Sequence, residues 1–323
     1  MKLVWPYDIF DVSELLRAAD EDGSEIAGLA AFSLHPPFPW GQRLYGRLLR
    51  ERGNELDGHL IECGVAKGGM SLFLARHAQR LGKKHFALDS FEGLPAPTPI
   101  RDNPYFREGD YAAREERGCL LDRFRHEIAQ RQLQDVIEVV AGFFSETLDR
   151  LPPDDHYAFI HIDVDLYQSV LDVLEHLYPR LVPDGILVID DFFHQARGPA
   201  RAAETFFAQH GQTLVYHVSF PYSVVIFKAE PPKPGLLRSV DGNRYSFDLL
   251  RSDSLFREVV GASAARAEAA GLPRRADEAR LLLALLEQTT ESGAEIYDYW
   301  RALAEYWQDM DSDRPDLRAP IRI

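Results

Sequence analysis

Cysteine is scarce in this chain. Cys63 and Cys119 are the two in 323 residues, and they form no CxxC pair. That density excludes a disulfide scaffold in a chain of this length and makes a reducing, cytoplasmic compartment the expectation. Basic charge is also short: 36 Lys and Arg face 51 Asp and Glu, a formal net charge of -15. A duplex-binding surface needs clustered cations, so no nucleic-acid partner is expected. Long apolar runs are missing too. Nothing approaches the roughly 18 residues that cross a bilayer, and the opening MKLVWPYDIFDVSELL acquires acids too early for a signal peptide. No Tyr of the sheet-forming region has a Lys four residues on, which excludes the catalytic pair of short-chain dehydrogenases. What remains is a globular composition, 46% hydrophobic and 27% charged, sufficient for one large or two modest domains.

The chain divides into three stretches. Residues 1–57 are expected to be helical or irregular, with LYGRLL (Leu44 to Leu49) leading into the first strand. HPPFPW (His35 to Trp40) is unsuited to a helix interior because proline lacks the amide donor and clashes with the preceding turn. This segment either covers a site or forms a packed crossover. Residues 58–229 alternate. Apolar strands HLIEC (His59 to Cys63), HFALD (His85 to Asp89), VIEVV (Val136 to Val140), YAFIHI (Tyr157 to Ile162) and GILVI (Gly185 to Ile189) are separated by helical patterns near 70–78, 115–132 and 166–181, with another at 201–210. Such alternation implies βαβ units and a mostly parallel sheet. TLVYHV (Thr213 to Val218) and YSVVIF (Tyr222 to Phe227) are too close for a parallel crossover, so they pair as a hairpin. The fold class expected is therefore α/β, a Rossmann-like αβα sandwich whose seven-stranded sheet has one antiparallel strand. PPKPG (Pro231 to Gly235) reads as a linker to a helical extension, 236–323, with helices near 253–270, 273–289 and 294–310.

The first strand runs into a turn, ECGVAKGG (Glu62 to Gly69), whose glycines let the backbone approach a ligand. Its form is E-x-G-x-x-x-G. An acid stands where the dinucleotide fingerprint has a glycine beside the pyrophosphate, which suits a positively charged cofactor. S-adenosylmethionine carries an ammonium and a sulfonium and no phosphate. Asp89, at the end of the second strand, is placed to accept both ribose hydroxyls. Glycines serving only the packing of helix on strand are the alternative.

Two later strands end in acids: HIDVD (His161 to Asp165) and VIDD (Val188 to Asp191). They flank one crossover helix, so Asp163 and Asp190 are expected as neighbours at the carboxyl edge of the sheet, where open α/β folds bind ligands. Asp191 adds a third carboxylate. Clustered carboxylates repel one another unless a cation compensates, and hard oxygen donors suit Mg²⁺ or Mn²⁺. Asp165 is a further donor or a helix start, and helix capping is the alternative for the whole set. A proton acceptor is also required. His194 lies three residues beyond Asp191, with a surface-loop histidine as the alternative; Asp163 could share that role, and His161 sits farther inside the sheet.

With these pieces assembled, the sequence resembles the macrocin O-methyltransferase (TylF/MycF-like) family of sugar methyltransferases. The matching segments are ECGVAKGG, DSFEGLP from Asp89, GFFSETL from Gly142, HIDVDLYQS from His161, LYPRLVPDG from Leu177 and IDDF from Ile189, in the family's order and over about residues 56–228. The resemblance implies a class I, S-adenosylmethionine-dependent and Mg²⁺-dependent enzyme that methylates hydroxyls of sugars or polyols in natural-product biosynthesis and assembles as a homo-oligomer. It implies that Glu62 and Gly64 line the methionine end of the cofactor, with Gly68, Met70 and Ser71 also among the cofactor-binding residues. Asp89 and Ser90 would meet the ribose, Phe91 the adenine side, and Gly142 and Phe143 would bound the adenine pocket. Asp163, Asp190 and Asp191 would hold the metal, with Asp163 also beside the cofactor. Asp184-Gly185 departs from a common Gly-Gly. Residues 231–323 and the regions expected to contact acceptors, 30–45 and 94–115, have no aligned counterpart.

Two other functions use some of these residues. Asp163-Val164-Asp165 after an apolar strand could hold the metal of a nucleotide-sugar glycosyltransferase, yet that leaves the turn after Glu62, Asp89 and Asp190 without roles. A non-catalytic scaffold would not need the acids or the turn, and both are present.

Overall fold

The computed structural model describes residues 21–32, 39–103, 106–112, 119–192, 198–214, 216–219, 223–228 and 254–269, with isolated positions 271, 276, 280 and 283. His194, the helix expected near 294–310, that near 273–289 apart from positions 276, 280 and 283, and most of the C-terminal extension lie outside the described residues. So does the His35 to Phe38 stretch.

Two helices precede the sheet, α1 (Glu21–Gly28) and α2 (Pro39–Arg52). Pro39 and Trp40 begin α2, where the sequence suggested only a break. Proline is tolerated in a first helical turn because its missing amide has no intrahelical partner there. The α/β unit follows: β1 (His59–Cys63), α3 (Gly69–Arg80), β2 (His85–Asp89), α4 (Cys119–Gln130), β3 (Ile137–Ala141), the short α5 (Phe144–Thr147), β4 (Tyr157–Ile162), α6 (Tyr167–Leu177), β5 (Leu181–Ile189), α7 (Gly198–Gln209), β6 (His217–Ser219) and β7 (Ser223–Phe227). The helix expected near 253–270 is α8 (Ser254–Ala269). No helix of the described residues is long and apolar enough to cross a membrane.

The seven strands lie in the order β3-β2-β1-β4-β5-β7-β6. β7 pairs antiparallel with both β5 and β6, and the other pairs are parallel. One strand is therefore reversed, as the short link before Tyr222 requires. β6 starts at His217, four residues later than the apolar pattern suggested. β5 starts at Leu181, four residues earlier than its apolar run. Asp184 within it stands at φ 58, which a glycine adopts freely and aspartate tolerates better than most residues. That accounts for Asp-Gly where Gly-Gly is common.

Helices cover both faces, so the central strands are apolar throughout: every residue of β4 is buried. The chain order reverses between β1 and β4, the switch point where such sheets open a crevice at their carboxyl edge. Bonds beyond the strand ends extend the ladder across that edge. Gly64 donates to Leu88 O at 2.9 Å, Asp163 to Cys63 O at 2.8 Å, Asp190 to Ile162 O at 2.8 Å and Gly142 to Asp89 O at 2.9 Å. Gly64, Asp89, Asp163 and Asp190 are thus brought to one level by backbone pairing alone.

Candidate functional site

A cavity of about 790 Å³ opens at this level. Its floor is the turn after β1, with Glu62, Gly64 and Met70. One side is formed by Asp89, Ser90, Phe91, Gly142 and Phe143. The other holds Asp163, Asp165, Asp190 and Asp191. Phe32, Gln42 and Tyr45 close it from the N-terminal segment, and Glu108 and Tyr111 from the loop after β2. Gly68 and Ser71 do not line it. Gly68 is the N-cap of α3 at φ 93, beside Phe124. Ser71, in the first turn of α3, is fully buried, and its hydroxyl meets Nε2 of His85 in β2 at 2.9 Å.

The turn is held by more than its glycines. Asp89 Oδ2 accepts the amides of Val65 and Ala66 at 2.7 and 2.8 Å, and Oδ1 accepts that of Phe91 at 2.6 Å. A carboxylate has about four acceptor sites, so three are engaged by the chain itself. Gly64 has φ +91, and a Cβ there would lie 1.8 Å from Asp163 O. Only glycine lets β1 leave the sheet this close to the end of β4. Ser90 Oγ donates to Gly93 O at 3.0 Å and fixes the next bend.

Glu62 is buried between two histidines of neighbouring strands. Its Oε1 lies 3.4 Å from His161 Nδ1, and its Oε2 lies 3.9 Å from His85 Nε2. Oε2 has no hydrogen-bond partner among the described residues, nor does either ring nitrogen of His161. Burial, then the nearby His161, pushes His85 down to about 3, so it is neutral at physiological pH. Glu62 thus lines the cavity with a buried, unpartnered oxygen, a poor arrangement unless a donor or cation completes it.

The acids of β4 and β5 converge as their strand pairing requires. Asp163 holds its proton well above the usual carboxylate range through burial, then the charges of Asp190, Asp191 and Asp165. Asp165 is raised by burial, then by Asp191, with which it shares a side-chain hydrogen bond. Asp190 is also raised by burial and Asp191, offset by His161 and by a hydrogen bond from Ser223. Ser223 Oγ donates to Asp190 Oδ1, which also accepts the Asp191 amide at 3.0 Å. Asp165 and Asp191 stand at φ 57 and 54. Five of the eight non-glycine residues at positive φ among the described residues (Ala66, Phe91, Tyr111, Asp165 and Asp191) line the cavity. Such strain persists where the surrounding structure over-determines it, and it gathers at functional sites.

Among the described residues no group of three or more His, Cys, Asp or Glu side chains is disposed to hold a metal ion. Asp163, Asp190 and Asp191 are nevertheless brought together at one end of the cavity, with internal hydrogen bonds occupying part of the set. The donor chemistry is all hard oxygen, the type of donor a divalent cation takes. Sequence reasoning missed Ser223, Tyr111 and the His85–Glu62–His161 row. Ser223 had a faint signal, as the first residue of a strand pairing with β5; Tyr111 fell inside the 94–115 region expected to contact acceptors but was not singled out within it.

Residues 47–216 match the family described as Macrocin-O-methyltransferase (TylF). The chain is 33% identical over 144 residues to 8-demethyl-8-(2,3-dimethoxy-alpha-L-rhamnosyl)-tetracenomycin-C 4'-O-methyltransferase of Streptomyces olivaceus, covering 42% of this chain and 54% of that protein. It is 29% identical over 148 residues to demethyldecarbamoylnovobiocin O-methyltransferase of Streptomyces niveus, covering 43% and 55%. The aligned part thus spans about half the length of these curated relatives. Among solved structures, the O-methyltransferase NovP superposes with a TM-score of 0.52 at 19% identity, covering 68% of this chain and 98% of NovP. CalS11, calicheamicin methyltransferase, gives 0.51 at 18%, covering 67% and 89%. These structures share the Rossmann-like class I methyltransferase fold described above. With the match over residues 47–216, more than half its length, the chain belongs to the macrocin O-methyltransferase (TylF) family.

Proposed function

We propose that this chain transfers a methyl group from S-adenosylmethionine to a hydroxyl of a sugar or related polyol on a natural product, with Mg²⁺ or Mn²⁺ at the acidic end of its cavity. The observation that carries this reading is that one cavity joins the turn held by Asp89 to the acids of β4 and β5. A donor and an acceptor bound there meet in one orientation, which is a large part of accelerating a bimolecular displacement. Two of the relatives are named for methylation of a rhamnosyl tetracenomycin and of demethyldecarbamoylnovobiocin, and that supports the substrate class.

When bound, S-adenosylmethionine supplies a methyl group on a sulfonium. Glu62 offers its unpartnered Oε2 to the ammonium end, relieving a buried acceptor. The one acceptor site left on Asp89 takes a ribose hydroxyl, rather than the carboxylate spanning both. Phe91, Ser90, Gly142 and Phe143 wall the adenosine side, and Gly64 and Met70 the methionine side. Asp163, Asp190 and Asp191, with Asp165 beside them, are the donors for the cation, which would lower the cost of alkoxide character on the acceptor oxygen. Asp163 or His194 receives the acceptor's proton. Assembly as a homo-oligomer belongs to the same proposal.

The test is product formation, followed by mass spectrometry, on a panel of sugar-bearing acceptors with S-adenosylmethionine. A methylated product that disappears on chelation and returns with Mg²⁺ supports the whole reading. No product on any acceptor, with the cofactor unbound in calorimetry, would overturn it. Sedimentation as a monomer at micromolar concentration would remove the oligomer.

A further inference from the structure

The loop between β2 and α4 is fastened at three points. At its base, Leu94 and the returning arm exchange backbone bonds: Leu94 N to Asp110 O and Gly109 N to Leu94 O, both 2.8 Å. At its far end Asp102 is buried, and its carboxylate is divided. Oδ2 accepts the Thr98 amide at 2.6 Å, and Oδ1 accepts the amide of Tyr167, the first residue of α6, at 2.6 Å. A carboxylate at a helix N-terminus satisfies an amide with no intrahelical partner and complements the helix dipole. Here it comes from 65 residues away in the chain. Gly198 makes room for it, since a Cβ there would stand 2.6 Å from Asp102 Oδ1. The third fastening is cationic. The Arg101 guanidinium lies 4.3 Å from the centroid of the Tyr167 ring, and Arg201 of α7 donates to Ile100 O and Arg101 O at 2.8 and 2.9 Å.

This fastened loop delivers Tyr111 to the cavity. Tyr111 is held at φ 63, a conformation that bulky side chains rarely adopt. Its ring stands 6.3 Å from that of Phe106, centroid to centroid. Asp165, Asp191 and Asp163 are all within electrostatic reach of its hydroxyl. Tyr111 lines the same cavity as these three acids, and a tyrosine hydroxyl is an O–H donor. A neutral O–H donor on a flat apolar ring, beside carboxylates that can only accept, is what a polyol with one face of C–H groups and one edge of hydroxyls requires.

We propose that Tyr111 is an acceptor-binding residue, donating its hydroxyl to an oxygen of the sugar whose hydroxyl reacts and packing its ring on that sugar. Asp102 is the positioning residue that sets it there through the loop. This inference rests on the methyl-transfer reading above.

Acceptor kinetics on the full chain test it, with cofactor affinity measured in parallel by calorimetry. Tyr111→Phe removes one hydrogen bond and should raise the acceptor KM roughly tenfold, and Tyr111→Ala more, both with cofactor affinity unchanged. Asp102→Asn should raise the acceptor KM in the same direction. Combined with Tyr111→Phe it should add less than its separate effect, because both act through one contact. An Asp102 that served stability alone would lower the melting temperature and leave KM in place. Active wild-type enzyme with acceptor KM unchanged in both Tyr111 variants overturns the assignment and leaves the methyltransferase reading standing. Wild-type protein inactive on every acceptor overturns both.

Discussion

Asp89 Oδ2 accepts the backbone amide of Ala66 at 2.8 Å, so the acid at the end of β2 shapes the turn that follows β1. With Val65 and Phe91 it gathers three amides, and hydrogen bonds to a charged group are worth about 1.5–3 kcal/mol each. Asp89→Ala should therefore weaken S-adenosylmethionine binding by about a hundredfold or more and lower the melting temperature as well. Asp89→Asn keeps an acceptor but places an amide donor against backbone amides, and should fall in between. Calorimetric titration of both variants checks this. Unchanged affinity in Asp89→Ala would remove the residue from the cofactor site.

Gly64 is the second fixed point of the turn. Gly64→Ala would bring a Cβ to 1.8 Å from the carbonyl oxygen of Asp163, which belongs to the backbone and cannot swing aside. The expected cost is about 4 kcal/mol or more, in the range reserved for core disruption. Gly82→Ala is the control: its φ is +66, yet nothing lies within 4 Å. It should lose only the roughly 1–2 kcal/mol of left-handed strain. Urea denaturation of the two variants separates steric contact from backbone conformation. Equal losses would show that the approach of β1 to β4 is not the constraint.

How much of this was legible before the structure depends on the range of the interaction. HLIEC, HFALD and YAFIHI declare themselves because strands buried on both faces need mostly apolar runs, and each ends at a glycine or an acid. Parallel pairing then forces Asp163 and Asp190 together without further information. Pro39 is compatible with His35 to Trp40 being unsuited to a helix interior, because proline's prohibition applies to helix interiors and lapses in the first turn, where α2 begins. For Ser71 the motif gives membership but not helix phase: its hydroxyl meets His85. Asp102 and Tyr167, or Ser223 and Asp190, are joined across 65 and 33 residues by side-chain contacts that leave no periodic trace.

His85 gives the chain an acid-sensitive core. Its folded pKa of about 3 lies below the ordinary value of 6.5. The unfolded chain therefore binds the proton that the folded chain refuses, and the stability contributed is complete above pH 6.5 and lost progressively as pH falls toward 3. Between pH 7.5 and 5 the loss is about 2 kcal/mol for this one group. His85→Gln retains a partner for Ser71 and cannot take up a proton, so it should flatten the acid side of the stability profile by that amount. Denaturant unfolding at the two pH values measures it. The carboxylates of β4 and β5 act with opposite sign and cancel in the comparison of variant with wild type. A variant whose stability falls as steeply as wild type would place the acid sensitivity elsewhere.

Ser223 tests the acidic end of the cavity without removing a carboxylate. Its hydroxyl donates to Asp190 Oδ1 from the reversed strand β7 and orients that carboxylate toward its neighbours. Partners of this kind typically change metal affinity by about 10–100-fold when removed. Ser223→Ala should raise by such a factor the Mg²⁺ concentration that half-restores activity after chelation, with the rate at saturating Mg²⁺ close to wild type. Asp190→Asn should be inactive at any Mg²⁺ concentration. The elevated proton affinities of Asp163, Asp165 and Asp190 add a pH dependence, because a cation must displace those protons. The half-restoring Mg²⁺ concentration should therefore fall as pH is raised from about 6 to 8, for wild type and Ser223→Ala alike. Methyl transfer measured across a Mg²⁺ titration at several pH values reads all three effects. Activity that survives chelation would eliminate the cation altogether. A Ser223→Ala enzyme that is slow at every Mg²⁺ concentration but has an unchanged midpoint would leave the cation in place and remove Asp190 from its donors.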